Sequence, residues 1–179
     1  MRALLTLLAF GPTILVAQQE QKPDLWKPLR FFEGSWEGSS KGEPGGGTVK
    51  RDYRFILRGK FIEARNIVTY SAQEKNPKGE VHEDIGMFGY NRSRKSFTLR
   101  QFHVEGFVNQ YVLDSISTNG ATIVFVTESI ENIPAGWKAR ETYRITGVDK
   151  FTETFELAEP GKDFVRYSES HLKRVRNNH

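Results

Sequence analysis

The sequence predicts an all-β chain folded as an antiparallel up-and-down barrel of about ten strands, and three observations predict it. Apolar and polar residues alternate in short runs over most of the chain, as half-buried strands require. Turn-forming clusters separate the runs, most of them short enough for hairpins. After residue 33 no apolar stripe recurs at i, i+3 and i+4, which leaves no helices for βαβ units or a parallel sheet.

The chain opens with Met1-Arg2, continues without charge from Ala3 to Ala17, and turns polar at Gln18-Gln19. One basic residue, a short apolar stretch holding Gly11-Pro12, and a small residue at its end predict a secretory signal peptide cleaved after Ala17. A membrane-spanning helix would need roughly 20 apolar residues. The expected organisation is a signal peptide over 1–17, a polar leader over 18–28 and a barrel domain over 29–176. Within this, 25–32 reads as a short helix or plug before the first strand. The product is expected to be secreted or periplasmic, with no stable membrane insertion once the signal is removed.

Strands are predicted at 36–40, 49–57, 60–70, 81–90, 96–103, 107–114, 121–128, 137–146, 151–157 and 164–175. Val49, Arg51, Tyr53, Phe55 and Leu57 share one face of the second, and Ile62, Ala64, Val68 and Tyr70 one face of the third. Asn91-Arg92-Ser93, Glu105-Gly106, Thr118-Asn119-Gly120, Gly147-Val148-Asp149 and Glu159-Pro160-Gly161 supply turns, while 71–80 and 129–136 are longer links. The glycine-rich run from Gly42 to Gly47 reads as a flexible hairpin tip and lacks the Lys-Ser of a phosphate loop. An open meander leaves two unpaired edges, and closure pairs the first strand with the last. A sandwich of two sheets is the competing architecture. A barrel of this strand number encloses room for a small ligand.

The formal net charge is +4, falling to +3 once Arg2 leaves with the signal, and bases interleave with acids except at Lys173, Arg174 and Arg176. That is not the footprint of a nucleic-acid binder. With no cysteine, disulfides, thiolate nucleophiles, Cys-ligated zinc, iron–sulfur clusters and thiol-linked lipid are excluded. No catalytic residue is assigned, because there is no Gly-x-Ser-x-Gly elbow and the pairs Glu153/Glu156 and Glu128/Glu131 read as outward strand and loop residues. No metal is expected: His82 and Asp84 share a face, but the four histidines show no close spacing.

The ligand-facing set follows from alternation. Phe97, Leu99, Gln101 and His103 share one strand face, and Phe107, Asn109, Tyr111 and Leu113 share one of the neighbouring strand. Gln101, His103, Asn109 and Tyr111 among apolar residues make a lining of few fixed polar groups in a greasy wall. With Phe55 and Tyr143, the candidate ligand-binding residues are Phe55, Phe97, Leu99, Gln101, His103, Asn109, Tyr111 and Tyr143.

Leu29 to Gly38, reading Leu-Arg-Phe-Phe-Glu-Gly-Ser-Trp-Glu-Gly, resembles the entrance of a calycin barrel, the group that includes lipocalins, fatty-acid-binding proteins and nitrobindins. Its core is Gly34-x-Trp36. The resemblance implies that the indole closes one end of the barrel and that a basic residue of the last strand, here Arg174, stacks over it. Phe32-x-Gly34-x-Trp36-x-Gly38, the glycine run, Tyr53-Arg54-Phe55 and Gly59-Lys60-Phe61 are most similar to nitrobindin-like haem-binding barrels, and the likeness spans residues 28–176. It implies haem b on an axial histidine near the C-terminus, His171 by position, with chemistry on peroxynitrite.

The reading that results is an exported protein holding a small hydrophobic or amphipathic molecule inside the barrel, with no catalysis required. The alternatives are a nitrobindin-like haem barrel, and a barrel with a filled interior whose long loops bind another protein.

Overall fold

The computed structural model describes residues 24–74 and 76–176. The expected signal peptide, its cleavage point and most of the leader lie outside the described residues.

Ten strands form: β1 (Gly34–Gly42), β2 (Gly45–Ile56), β3 (Phe61–Tyr70), β4 (Glu80–Asn91), β5 (Ser96–His103), β6 (Val108–Ile116), β7 (Thr122–Glu131), β8 (Lys138–Gly147), β9 (Lys150–Ala158) and β10 (Val165–Arg174). Each pairs antiparallel with its neighbours in the chain, and β1 pairs with β10 from Trp36 opposite Arg174 to Gly42 opposite Ser168. The sheet is a closed barrel, so the sandwich is excluded and no edge is left unpaired. Among the described residues no helix is long and apolar enough to cross a membrane.

Period-two alternation sets which side chains enter the lumen. In β2 Val49, Arg51 and Tyr53 are buried, and in β7 Ile123, Phe125 and Thr127 are buried, each separated by more exposed neighbours. The glycine run is not a loose tip. Glu43-Pro44 makes the turn, and Gly45, Gly46 and Gly47 already belong to β2. A Cβ on Gly47 would stand 2.7 Å from the Tyr70 ring, and one on Gly38 would stand 1.8 Å from the His171 carbonyl oxygen. Only glycine lets β1 lie this close to β10 and Tyr70 fold over β2.

The two ends of the barrel differ. At one end the links are short, and a 3₁₀ turn at Arg30–Phe32 plugs the opening. Trp26, Leu29 and Phe32 are buried there, so the leader's last residues are packing elements and not a polar spacer. Phe32 meets Tyr53, Tyr143 and Phe151, while Trp26 meets Phe55 and Phe97. Trp36 is fully buried and donates from its indole to the Phe32 carbonyl at 2.7 Å. The Arg174 guanidinium lies 4.2 Å over its ring and donates to the carbonyls of Glu33 at 2.5 Å and Phe31 at 2.6 Å. The three long connections, 71–79, 132–137 and 159–164, lie at the other end, where Pro44, Glu105, Ile133 and Pro134 line an opening.

Candidate functional site

The open half of the barrel is hollow. Its chamber has a volume of about 470 Å³, within the range of small-molecule sites. The interior is therefore not filled by side chains. Its upper wall is apolar, with Phe107, Ile130, Trp137, Phe155, Leu157 and Tyr167 facing in. Its floor is polar and separates the chamber from the aromatic packing of Tyr53, Phe88, Phe125, Tyr143 and Phe151 below.

Strand parity builds this floor. Arg51 of β2, Asn66 of β3, Asp84 of β4, Gln101 of β5, Asn109 of β6, Glu141 of β8 and Glu153 of β9 are all buried and inward. Arg51 and Glu153 form an ion pair that spans the lumen, since β1 and β10 lie between their strands in the sheet. Arg51 also donates to Asn66 Oδ1 at 3.0 Å and to the Tyr53 hydroxyl at 3.2 Å. Asn66 Nδ2 passes the connection to Asp84 Oδ2 at 2.7 Å, and Gln101 Nε2 donates to Asp84 Oδ1 at 3.1 Å. Glu153 was expected to face outward; it points inward, and its strand neighbours Phe151 and Phe155 carry the parity that places it there. Glu156 does face out, onto Arg140 at 2.7 Å.

Two carboxyls and two imidazoles on this floor are tuned apart. Burial raises Glu141 well above its ordinary 4.5, and the adjoining Glu153 charge adds to the effect, so Glu141 holds its proton and hydrogen-bonds Glu153. Burial also opposes the Asp84 charge, but His82, Arg51 and Asn66 outweigh it and hold Asp84 below its ordinary value. For His82 burial is overcome by Asp84 and Glu105, and the imidazole is raised to about 9. Burial dominates at His103, lowered to about 4, so that ring is neutral. It stacks on Phe107 with centroids 4.0 Å apart.

A raised carboxyl has a consequence for stability. Above its ordinary 4.5 the unfolded Glu141 ionises while the folded one keeps its proton, so folding loses stability as pH rises through that window. Glu141→Gln removes this loss. Urea denaturation should show no gain for the variant at about pH 4 and a growing one as the pH rises above the ordinary 4.5, at up to roughly 1.4 kcal/mol per pH unit.

Of the candidate ligand-binding residues, Gln101, His103 and Asn109 line the chamber. The other five do not. Phe55 is half-buried at the plugged end beneath the Arg30 guanidinium, and Phe97 is buried beside it against Trp26. Leu99 and Tyr143 edge a gap of about 10 Å³ below the floor. Tyr111 is fully buried, its hydroxyl taken by Asn109 Nδ2 at 3.0 Å. Alternation assigned the correct face in each case but carried no information about depth along the barrel axis.

His171 does not fit an axial haem ligand. It lies between inward-facing Ser170 and Leu172, its ring is 54% exposed, and it reaches Glu169 at 3.0 Å on the outer surface. His103 has the opposite placement, at the chamber wall. Its Nδ1 is buried without a hydrogen-bond partner, as are Gln101 Oε1, Asn109 Oδ1 and Glu141 Oε2. Among the described residues these are the four such side-chain atoms, and all four belong to residues that line the chamber.

No protein-family model matches the chain, and neither does any curated protein. The crystal structure of Rv2717c from M. tuberculosis matches in fold with a TM-score of 0.67 at 18% identity, over 87% of this chain and 99% of that one. A de novo designed fluorescence-activating β-barrel matches more loosely, with a TM-score of 0.40 at 14% identity over 82% and 95%. The likeness to Rv2717c extends over the barrel as a whole and is a likeness of fold.

Proposed function

We propose that this chain is an exported, calycin-like carrier that holds a small amphipathic molecule in the open half of its barrel, head group down. The observation that carries the reading is the chamber of about 470 Å³ with an apolar wall and four unpartnered polar atoms over its floor. An unpaired buried polar atom costs roughly 1–3 kcal/mol, which a bound head group recovers. Gln101 Oε1 and Glu141 Oε2 are acceptors, so the head is one that carries O–H or N–H donors, such as an alcohol or amine. Arg51 offers little to an anionic head, because Glu153, Asn66 and Tyr53 already occupy it.

Thermal unfolding with medium-chain alkyl alcohols, amines and carboxylates tests this. At a hundredfold excess over Kd the stabilisation is about 2.7 kcal/mol, or roughly 5–10 °C in Tm. Alcohols or amines should give a saturable rise that the matching carboxylates do not reach. No rise from any lipophile would refute the carrier reading, and a preference for carboxylates would refute the donor-head assignment.

A further inference from the structure

Three metal-ligating side chains meet at one side of the chamber floor. His82 and Asp84 stand at i and i+2 of β4 and so point into the lumen together, and Asp84 is the register partner of His103 on β5. Sequence spacing could not reveal this, because His103 lies a hairpin away and only the pairing of β4 with β5 brings it across. One ligand atom from each residue lies within 4.8 Å of the other two. His82 Nε2 and Asp84 Oδ2 are 3.6 Å apart, close to the roughly 3.3–3.6 Å edge of a tetrahedron with zinc–ligand bonds of about 2.0–2.2 Å.

We propose that His82 Nε2, Asp84 Oδ2 and His103 Nδ1 bind one divalent first-row transition cation, which displaces the proton on His82 Nε2 to solvent and keeps its remaining coordination open to the chamber. Two imidazoles and a carboxylate form a donor set that such ions take readily and that Mg²⁺ and Ca²⁺, which want an all-oxygen shell, do not. The other atoms of the three side chains are already held in the orientation this requires. Glu105 Oε1 sits 2.8 Å from His82 Nδ1, the carboxylate–histidine arrangement that aims the opposite nitrogen at a metal. Asn66 and Gln101 fix the two oxygens of Asp84, and Asn109 lies 3.2 Å from His103 Nε2.

The unpartnered atoms point the same way. A metal on His103 Nδ1 places the ring proton on Nε2, which then needs an acceptor. The amide of Asn109 supplies one if its oxygen and nitrogen exchange places, an exchange that leaves its outline unchanged. Oδ1 then accepts from His103 Nε2 and from the Tyr111 hydroxyl. One cation and one amide orientation thus account for two of the four orphaned atoms, His103 Nδ1 and Asn109 Oδ1, and leave Gln101 Oε1 and Glu141 Oε2 facing the chamber.

The test uses the metal alone, so its outcome is independent of the amphipathic-ligand panel. Co²⁺ is titrated into metal-stripped protein while its visible d–d absorption is followed, and Zn²⁺ binding is measured by calorimetry. One equivalent should bind, with Mg²⁺ and Ca²⁺ failing to compete. His103→Ala and His82→Ala should abolish the Co²⁺ spectrum while circular dichroism remains that of the native barrel, and the milder His103→Gln should do the same. Glu105→Gln, which leaves all three ligands in place, should weaken binding by roughly 10–100-fold. His171→Ala, on the outer surface, should change nothing. Absence of one-to-one binding, or binding that keeps its affinity in folded His82 and His103 variants, overturns the proposal.

Discussion

Arg51→Leu is expected to lower the unfolding free energy by about 3–5 kcal/mol, because it leaves the Glu153 charge inside the barrel without its partner. Arg51 is buried and its guanidinium is shared among Glu153, Asn66 and the Tyr53 hydroxyl, so one substitution unties three strands across the lumen. Glu153→Leu should cost a similar amount, by stranding the cation instead. The double variant Arg51→Leu/Glu153→Leu removes both charges together, and paired replacement of this kind is often close to neutral. Its loss should therefore be smaller than that of either single variant, a coupling that urea denaturation of the four proteins measures directly. Simple additivity would mean that the ion pair does not hold the floor together.

The second large effect is expected at the plugged end. Trp36→Ala empties a fully buried indole site among Phe31, Phe151 and the Arg174 guanidinium, and such a truncation costs roughly 3–5 kcal/mol. Arg174→Ala should cost about 2–4 kcal/mol, from two charge-assisted hydrogen bonds to the Phe31 and Glu33 carbonyls and from the stack on the indole. Arg174→Lys should recover little of this, since an ammonium cannot stack flat on the ring and reach both carbonyls at once. In a double-mutant cycle the two losses should fall short of adding. If Arg174→Lys proves as stable as the native chain, the guanidinium plane is not what fastens the plug.

Much of the fold was legible because a strand announces itself by parity. The alternation around Tyr53, Phe88 and Tyr143 placed the inward apolar side chains of these strands on the right face, except Leu57, which lies exposed in the turn after β2, and the turn residues marked where the chain reverses. Glu153 shows where the reading stopped short. Its parity with Phe151 and Phe155 was visible, but a carboxylate reads as a surface residue unless its partner is known, and the partner, Arg51, is about 100 residues away in sequence and reachable only after closure. The same holds for Asn66, skipped between Ala64 and Val68, and for Glu141, between Ala139 and Tyr143. Polar residues that break an apolar face in phase with its period were the available signal, and eight such positions converge on one layer: Arg51, Asn66, His82, Asp84, Gln101, Asn109, Glu141 and Glu153. Depth was the other missing coordinate. Strand tilt and stagger decide whether an inward residue such as Leu99 reaches the chamber or the packing beneath it, and neither is written in a single strand.

Both ends of the described chain emerge beside the plug: Trp26 packs against Phe55 and Phe97, and Arg176 pairs with Asp149 in the link between β8 and β9. A tether, a fused protein or a solid support joined directly at either end of the described residues would thus hang from the plugged base like a stalk beneath a cup. The chamber mouth at the opposite end would stay clear of such an attachment.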